Sequence, residues 1–227
     1  YDFLTFAMPF KENSAIGGHF TYLNLGDQIS TDDNGNVLGS FSSYMYALNV
    51  SYSQKVDENS SWGVSGKYFY QELADLSDID AATGSFAVDV GYFRHNAMNN
   101  PNLTMGAVLT NLGPGVSFGD GEGDPLPTRL GFGVGLSMLE GAGNLAFDLN
   151  YEVNDQAMVT NLGFEYFLVE NFALRAGFMN DPSGELSYTT LGIRARLDPV
   201  GFDVSYVMGG DLDPHSNMVR FSLSGSF

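Results

Sequence analysis

The chain has 227 residues, 44% of them hydrophobic, and 27 acidic against 9 basic residues give it a net charge of −18. That balance excludes a nucleic-acid binder, which needs Lys and Arg to meet phosphate. With no Cys there is neither a disulfide framework nor a thiolate metal site, and no apolar run reaches the roughly 18 residues of a membrane-spanning helix.

Taken in chain order, one pattern recurs. Apolar residues alternate with small or polar ones over thirteen segments: 2–10, 15–26, 40–54, 61–73, 84–94, 102–112, 128–139, 143–153, 157–168, 171–180, 185–197, 200–209 and 217–227. In a strand, successive side chains face opposite ways, so each segment has an oily face and a polar one. Leu4, Phe6, Met8 and Phe10 share the first oily face. Leu130, Phe132, Val134, Leu136 and Met138 alternate with Arg129, Gly131, Gly133, Gly135 and Ser137. Leu145, Phe147, Leu149, Tyr151 and Val153 alternate with Asn144, Ala146, Asp148, Asn150 and Glu152. The same holds for Phe172–Phe178, Leu191–Leu197 and Val200–Met208. At the end, Val219, Phe221, Leu223 and Phe227 oppose Arg220, Ser222, Ser224 and Ser226.

Most segments run about 9–12 residues, enough for a tilted strand to cross a hydrocarbon layer, whereas soluble strands run nearer five or six. The expected fold is therefore all-β: one antiparallel transmembrane β-barrel spanning residues 1–227 as a single domain. Bacterial single-chain barrels use even strand numbers, so a fourteenth strand is expected upstream of Tyr1, where no signal peptide is visible. Phe221, Leu223 and Phe227 form the barrel-closing signal, an oily terminal strand ending on an aromatic residue.

The connections alternate in length. Short ones fall at Lys11–Ser14, Val56–Ser60, Glu140–Ala142, Val169–Glu170 and Asp198–Pro199. Longer or more acidic ones fall at Asp27–Gly39, Ala74–Thr83, Gly113–Pro127, Asp181–Gly184 and Gly210–Ser216. Short periplasmic turns and longer extracellular loops are the habit of such barrels. His95–Pro101 is middling for the first set, and Asn154–Gln156 is short for the second.

Charge follows the same plan. Asp32, Asp33, Asp75, Asp78, Asp80, Asp120, Glu122, Asp124, Asp211 and Asp213 fall between the expected strands. Arg129, Arg175, Arg194, Arg196, Arg220 and Lys67 fall on strands, on the parity opposite the oily one. Arg or Lys facing lipid at mid-depth costs about 2–4 kcal/mol, so these belong in the lumen. Asp89, Asp148, Glu152, Glu165 and Asp203 are placed to pair with them there. Such a network either fills the lumen or lines a solute path. Asp120, Glu122 and Asp124 mark a candidate partner-binding loop.

Other motifs carry little. Asp32-Asp33-Asn34-Gly35-Asn36 resembles the start of a calcium loop, but Ser43 stands where the bidentate Glu belongs, so the stretch reads as a solvated Asn-Gly turn. His19, His95 and His215 lack metal spacing. The alternate glycines at 131, 133 and 135 read as room for close approach to the inner wall. Tyr22, Tyr44, Tyr46, Tyr52, Tyr68, Tyr70 and Trp62 share the oily parity and suit an aromatic girdle. No catalytic constellation, metal site or cofactor site is expected.

The stretch from Thr110 to Gly131, T-N-L-G-P-G-V-S-F-G-D-G-E-G-D-P-L-P-T-R-L-G, resembles the PorV/PorQ family of outer-membrane proteins. Asn111, Leu112, Gly113, Pro114, Pro125, Leu126, Pro127, Arg129, Leu130 and Gly131 fit that family's "QNLGP…PLP…LRLG" segment. The Gly66–Gln71 strand, Phe86–Gly91 and Phe221–Phe227 fit as well. The resemblance implies a fourteen-strand barrel like that of the FadL channel, in the bacterial outer membrane. The family's amino-terminal "NPAGL" region would precede Tyr1. The resemblance further implies a non-enzymatic partner of the type IX translocon or of the cell-surface attachment machinery. Two functions then compete: a barrel that binds other secretion or surface-assembly proteins amid outer-membrane lipid, or a FadL-like channel for small hydrophobic solutes.

Overall fold

The computed structural model describes residues 1–76, 79–118, 123–209 and 217–225, without the side chains of 74–81. Asp78, Asp120, Glu122, Asp211, Asp213, His215 and Phe227, and the side chains of Asp75 and Asp80, lie outside that description. Thirteen strands form: β1 Asp2–Lys11, β2 Ser14–Thr31, β3 Val37–Lys55, β4 Ser60–Leu76, β5 Ile79–Arg94, β6 Leu103–Leu112, β7 Arg129–Met138, β8 Gly143–Glu152, β9 Ala157–Val169, β10 Phe172–Asp181, β11 Leu186–Leu197, β12 Val200–Gly209 and β13 Met218–Gly225. They make one sheet in sequence order. Antiparallel registers run β1–β2, β2–β3 and β3–β4, and again from β7 through to β13. Apart from 3-10 turns at Ala97–Asn99 and Leu139–Gly141, no helix interrupts the described residues. This is the antiparallel wall of a transmembrane barrel.

Burial is inverted relative to a water-soluble protein. Among the described residues the buried apolar side chains are nearly all small: Ala87, Ala97, Ala157, Ala173 and Val207, with Leu126 a larger exception. Ser43, Asn49, Ser60 and Ser85 are buried beside them. The large apolar side chains Leu48, Val50, Phe86, Leu162, Phe178, Leu191 and Phe202 are all exposed. A soluble sheet would hide such residues. Here the outward face needs hydrocarbon around it, and the alternation read from the sequence assigns the two faces.

Four strands depart from the expected lengths. β2, β3, β4 and β5 have 18, 19, 17 and 16 residues. The stretches 27–39 and 74–83, expected as loops, are mostly strand. In the first, only the turn 32–36 is left as a connection. The backbone ladder continues where the apolar alternation ends, because past the membrane both faces of a strand meet water. Polar Asp27, Gln28, Ser30, Ser40 and Ser42 then sit in the ladder without penalty. A bulge between Asn24 and Asp27 resets the register at this transition, and Asn24 Oδ1 accepts the Gly26 N–H at 2.7 Å.

By internal contacts the chain forms two compact units. One comprises Tyr1–Tyr92 with Leu109–Thr128 and carries the long strands. The other comprises Phe93–Val108 with Arg129–Phe227, and its β7 to β13 have 8 to 13 residues.

Candidate functional site

In the second unit, four side chains on the polar face close an ionic ring across β9, β10, β11 and β12. Arg175 Nε lies 2.6 Å from Glu165 Oε2, and Arg175 Nη1 lies 2.6 Å from Asp203 Oδ1. Arg194 Nε lies 3.0 Å from Asp203 Oδ1, and its Nη1 lies 3.8 Å from Glu165 Oε2. Asn144 donates to Glu165 Oε1 at 3.3 Å. Two cations meet two anions, so the ring is neutral. Register explains part of it: Arg175 is opposite Glu165, and Arg194 is opposite Asp203. The Arg175–Asp203 bond spans a whole strand, and Gly192 lies opposite Arg175 in that strand. Even a Cβ there would stand 3.2 Å from the Val204 carbonyl and 3.6 Å from Arg175 Cβ.

The other sequence-selected charges take separate places. Arg129 opens β7 opposite Glu152. Asp148 lies opposite Gly133, and its Oδ1 occupies the space a Cβ there would need. Asn150 and Thr104 cover Gly131 and Gly135 in the same way. Arg196 pairs with Asp198 at 2.9 Å, both largely exposed at the β11–β12 turn. Arg220 lies opposite Ser205, with its Nε 3.3 Å from Met218 Sδ. Phe221 and Leu223 face outward opposite Val204 and Phe202, at 78% and 72% exposure.

In the first unit, the segment between β6 and β7 is anchored to the polar face. Asn111 adopts a left-handed φ of 61°, which Asn tolerates better than most residues. Its backbone N–H donates to Asp89 Oδ1 at 2.8 Å, and its Nδ2 donates to the Pro127 carbonyl at 2.8 Å. Lys67 Nζ donates to Asn111 Oδ1 and pairs with Asp89 at 2.8 Å. Thr128 Oγ1 donates to the Asn111 carbonyl at 3.1 Å. Ser85 Oγ donates to the Pro114 carbonyl at 2.9 Å, and Leu126 is buried. At Gly113 a Cβ would collide with the Phe86 carbonyl, so the chain passes there only without a side chain. Asp124 and Val116 exchange backbone hydrogen bonds at 2.7 and 2.8 Å, pinching the segment's base. Asp120 and Glu122 lie outside the described residues.

Two aromatic bands mark the outward face of the same unit. Tyr52 meets Trp62 edge-on at 6.0 Å. Towards the other end of these strands, Tyr22, Tyr44, Tyr46 and Tyr70 pack at 5.3 to 6.3 Å. Tyr44 and Tyr52 share a face of β3, and at ~3.3 Å rise per residue they stand roughly 26 Å apart along the strand, which at a barrel strand's tilt of about 35–45° is about 20 Å of depth, within the ~25 Å apolar band of outer-membrane barrels. Leu48 and Val50 fill the interval. Glu72, which the sequence pattern did not single out, accepts from the Tyr44 and Tyr70 hydroxyls at 2.8 and 2.9 Å.

Beyond the membrane, Asp32 closes the β2–β3 turn. Its carboxylate accepts from the Asn36 side chain at 2.8 Å and from the Asn36 and Asn34 backbone N–H groups at 2.8 and 2.9 Å. Those bonds, the Asn36 side chain's foremost, hold the Asp32 carboxyl below its ordinary value of 3.8.

Comparison with known proteins agrees with this architecture. Residues 2–161 match the family described as "Type IX secretion system protein PorV". No curated protein sequence matches. Among solved structures, the toluene transporter TodX of Pseudomonas putida is similar, with a TM-score of 0.67 at 13% identity over 97% of this chain and 79% of that one. The toluene transporter TbuX of Ralstonia pickettii gives 0.65 at 14% identity over 96% and 77%. CdiB from Acinetobacter baumannii gives 0.53 at 12% identity over 97% and 49%. At these identities the likeness is one of fold.

Proposed function

Because this chain belongs to the PorV family and lies in the bacterial outer membrane, we propose that it is a non-enzymatic barrel whose task is to bind other proteins of type IX secretion or a related surface assembly. The observation that carries this reading is the character of the polar face. In one unit it holds Ser43, Asn49, Ser85, Lys67 and Asp89, with Asn111 and Pro114 hydrogen-bonded to it. In the other it holds the Glu165–Arg175–Asp203–Arg194 ring. An apolar solute would cross paired charges and hydrogen-bonded backbone, where desolvation is unfavourable. Partners would be met outside the membrane, on the prolonged β2–β5 strands and on the loop bearing Asp120, Glu122 and Asp124.

A second reading, a channel for small hydrophobic solutes, draws on the fold shared with the two toluene transporters. One experiment separates them. The purified protein in liposomes should not speed toluene entry. Photo-crosslinkers at 120–124 in native outer membrane should capture a discrete protein partner. Asp120→Asn, Glu122→Gln and Asp124→Asn together should weaken that capture several-fold, while heat-modifiable gel migration stays that of a folded barrel. Rapid toluene entry with no cross-linked partner would favour the channel.

A further inference from the structure

On the polar face of the second unit, small residues open a hollow beside the ionic ring. Ala146, Gly163, Gly177 and Thr190 stand opposite one another in a row across β8 to β11. The next row runs Asn144, Glu165, Arg175, Gly192 and Ser205, across β8 to β12. Together they line a cavity of about 700 Å³, within the roughly 300–1,000 Å³ of small-molecule sites. A Cβ built on Gly163 would meet nothing nearer than Ala146 Cβ, at 3.9 Å, so the space above that glycine is open.

The ring does not exhaust its own hydrogen-bonding groups. Arg194 uses Nε on Asp203 Oδ1, and its Nη1 is 3.8 Å from Glu165 Oε2, too far for a hydrogen bond. Among the described residues, neither Nη group of Arg194 has an acceptor, and Asp203 Oδ2 has no donor. The hydroxyls of Thr190, Ser205 and Ser222, which also line the hollow, have no partner there either. The hollow thus offers donors and acceptors side by side. Its charged lining sums to zero, two arginines against two carboxylates. A cation would have to compete with arginines for carboxylates already held, and an anion is opposed by the chain's net charge of −18. An apolar solute would strip water from these groups and return nothing. A hydroxyl is both donor and acceptor, so it can serve a guanidinium and a carboxylate without adding charge.

We propose that this hollow is a binding site for a neutral, hydroxyl-rich solute of the sugar class. The solute lies over Gly163 and Gly177. Its hydroxyls donate to Asp203 Oδ2, accept from the Nη groups of Arg194, and exchange hydrogen bonds with Ser205 and Ser222. The site stands on the second unit alone and does not depend on which proteins the barrel binds.

The test is saturation-transfer NMR on the full chain, purified in an amine-oxide detergent that carries no sugar headgroup. Glucose, mannose and maltose are titrated separately, beside the charged analogues gluconate and glucosamine. At least one neutral sugar should give a saturable signal, with about tenfold tighter binding than either charged analogue. Gly163→Leu fills the hollow without replacing any member of the ring, and it should weaken sugar binding about tenfold or more. Ser205→Ala combined with Ser222→Ala removes two hydroxyls and should weaken it several-fold. Heat-modifiable migration shows that each variant is folded, and if Gly163→Leu is not, the serine pair decides. No saturable signal from any of the three sugars, equal binding of the charged analogues, or undiminished binding in the folded variants overturns the proposal.

Discussion

The guanidinium of Arg175 on β10 reaches the carboxylate of Asp203 on β12, 2.6 Å away, across the strand between them. Gly192 lies opposite Arg175 in that strand, so no side chain stands in the way. Without that bond each arginine would pair mainly with its immediate neighbour. With it, the four charges become one ring spanning four strands.

The ring makes Gly192 a test position. Gly192→Leu would fill the crossing and separate Arg175 from Asp203, leaving Arg175 with Glu165 alone. Removal of the arginine itself, Arg175→Ala, leaves both carboxylates to Arg194. Because these side chains are a fifth to two-fifths exposed, the expected loss is about 1–2 kcal/mol rather than the full cost of a buried pair. Denaturant unfolding from lipid should show Arg175→Ala destabilised more than Gly192→Leu, because it also removes the bond to Glu165, and the double variant scarcely worse than Arg175→Ala alone. Fully additive losses would mean that the two residues do not act through one contact.

Asn111 offers a second test. Asn111→Gly keeps the left-handed backbone and the N–H bond to Asp89, but loses the bonds to Lys67 and Pro127. Asn111→Val adds the strain of a β-branched residue at positive φ, on the order of 1–3 kcal/mol. Amide hydrogen exchange at 113–118 and 123–127 should quicken modestly in the glycine variant and strongly in the valine variant. Unchanged protection in Asn111→Val would show that the segment is held by contacts elsewhere.

The β2–β3 turn has a defined acid response. Hydrogen bonds to Asp32 depress its folded pKa below the ordinary 3.8. The stabilisation is therefore fully present above that ordinary value and is lost as pH falls through the lower folded one. The turn should hold at neutral pH and fray only in acid below about pH 4. Asn36→Ala should move the Asp32 titration, followed by carbon-13 NMR of its carboxyl, up towards 3.8. An unshifted titration in Asn36→Ala would rule out the side-chain amide as the main cause.

The last strand separates its two faces. Phe221→Arg places a cation on the outward side and should cost about 2–4 kcal/mol if that position lies near mid-membrane. Arg220→Ala, on the polar side, should cost well under half as much. Phe227→Asp should also block the folded, heat-modifiable form, because the terminal strand must pair to remove an open edge. Normal migration of Phe227→Asp would show that closure does not need the terminal aromatic residue.

Sequence alone determined the strands and their faces. A period-2 pattern is local: Leu174, Ala176 and Phe178 must point opposite to Ala173, Arg175 and Gly177 whatever the rest of the chain does. Hence the all-β class and the alternation of faces along each strand were legible, as was the family through Asn111–Gly131. The lengths of β2 to β5 were not, because beyond the membrane water on both faces removes the alternation that marks a strand, while the backbone ladder needs no such pattern. Nor were the pairings that give the polar face its character. Which charges meet depends on register and on what occupies the strand between them. Tertiary structure alone placed Gly192 opposite Arg175, brought Lys67 and Asp89 under Asn111, and gave Glu72 its two phenols, since hydrogen bonds between strands join residues that the sequence keeps far apart.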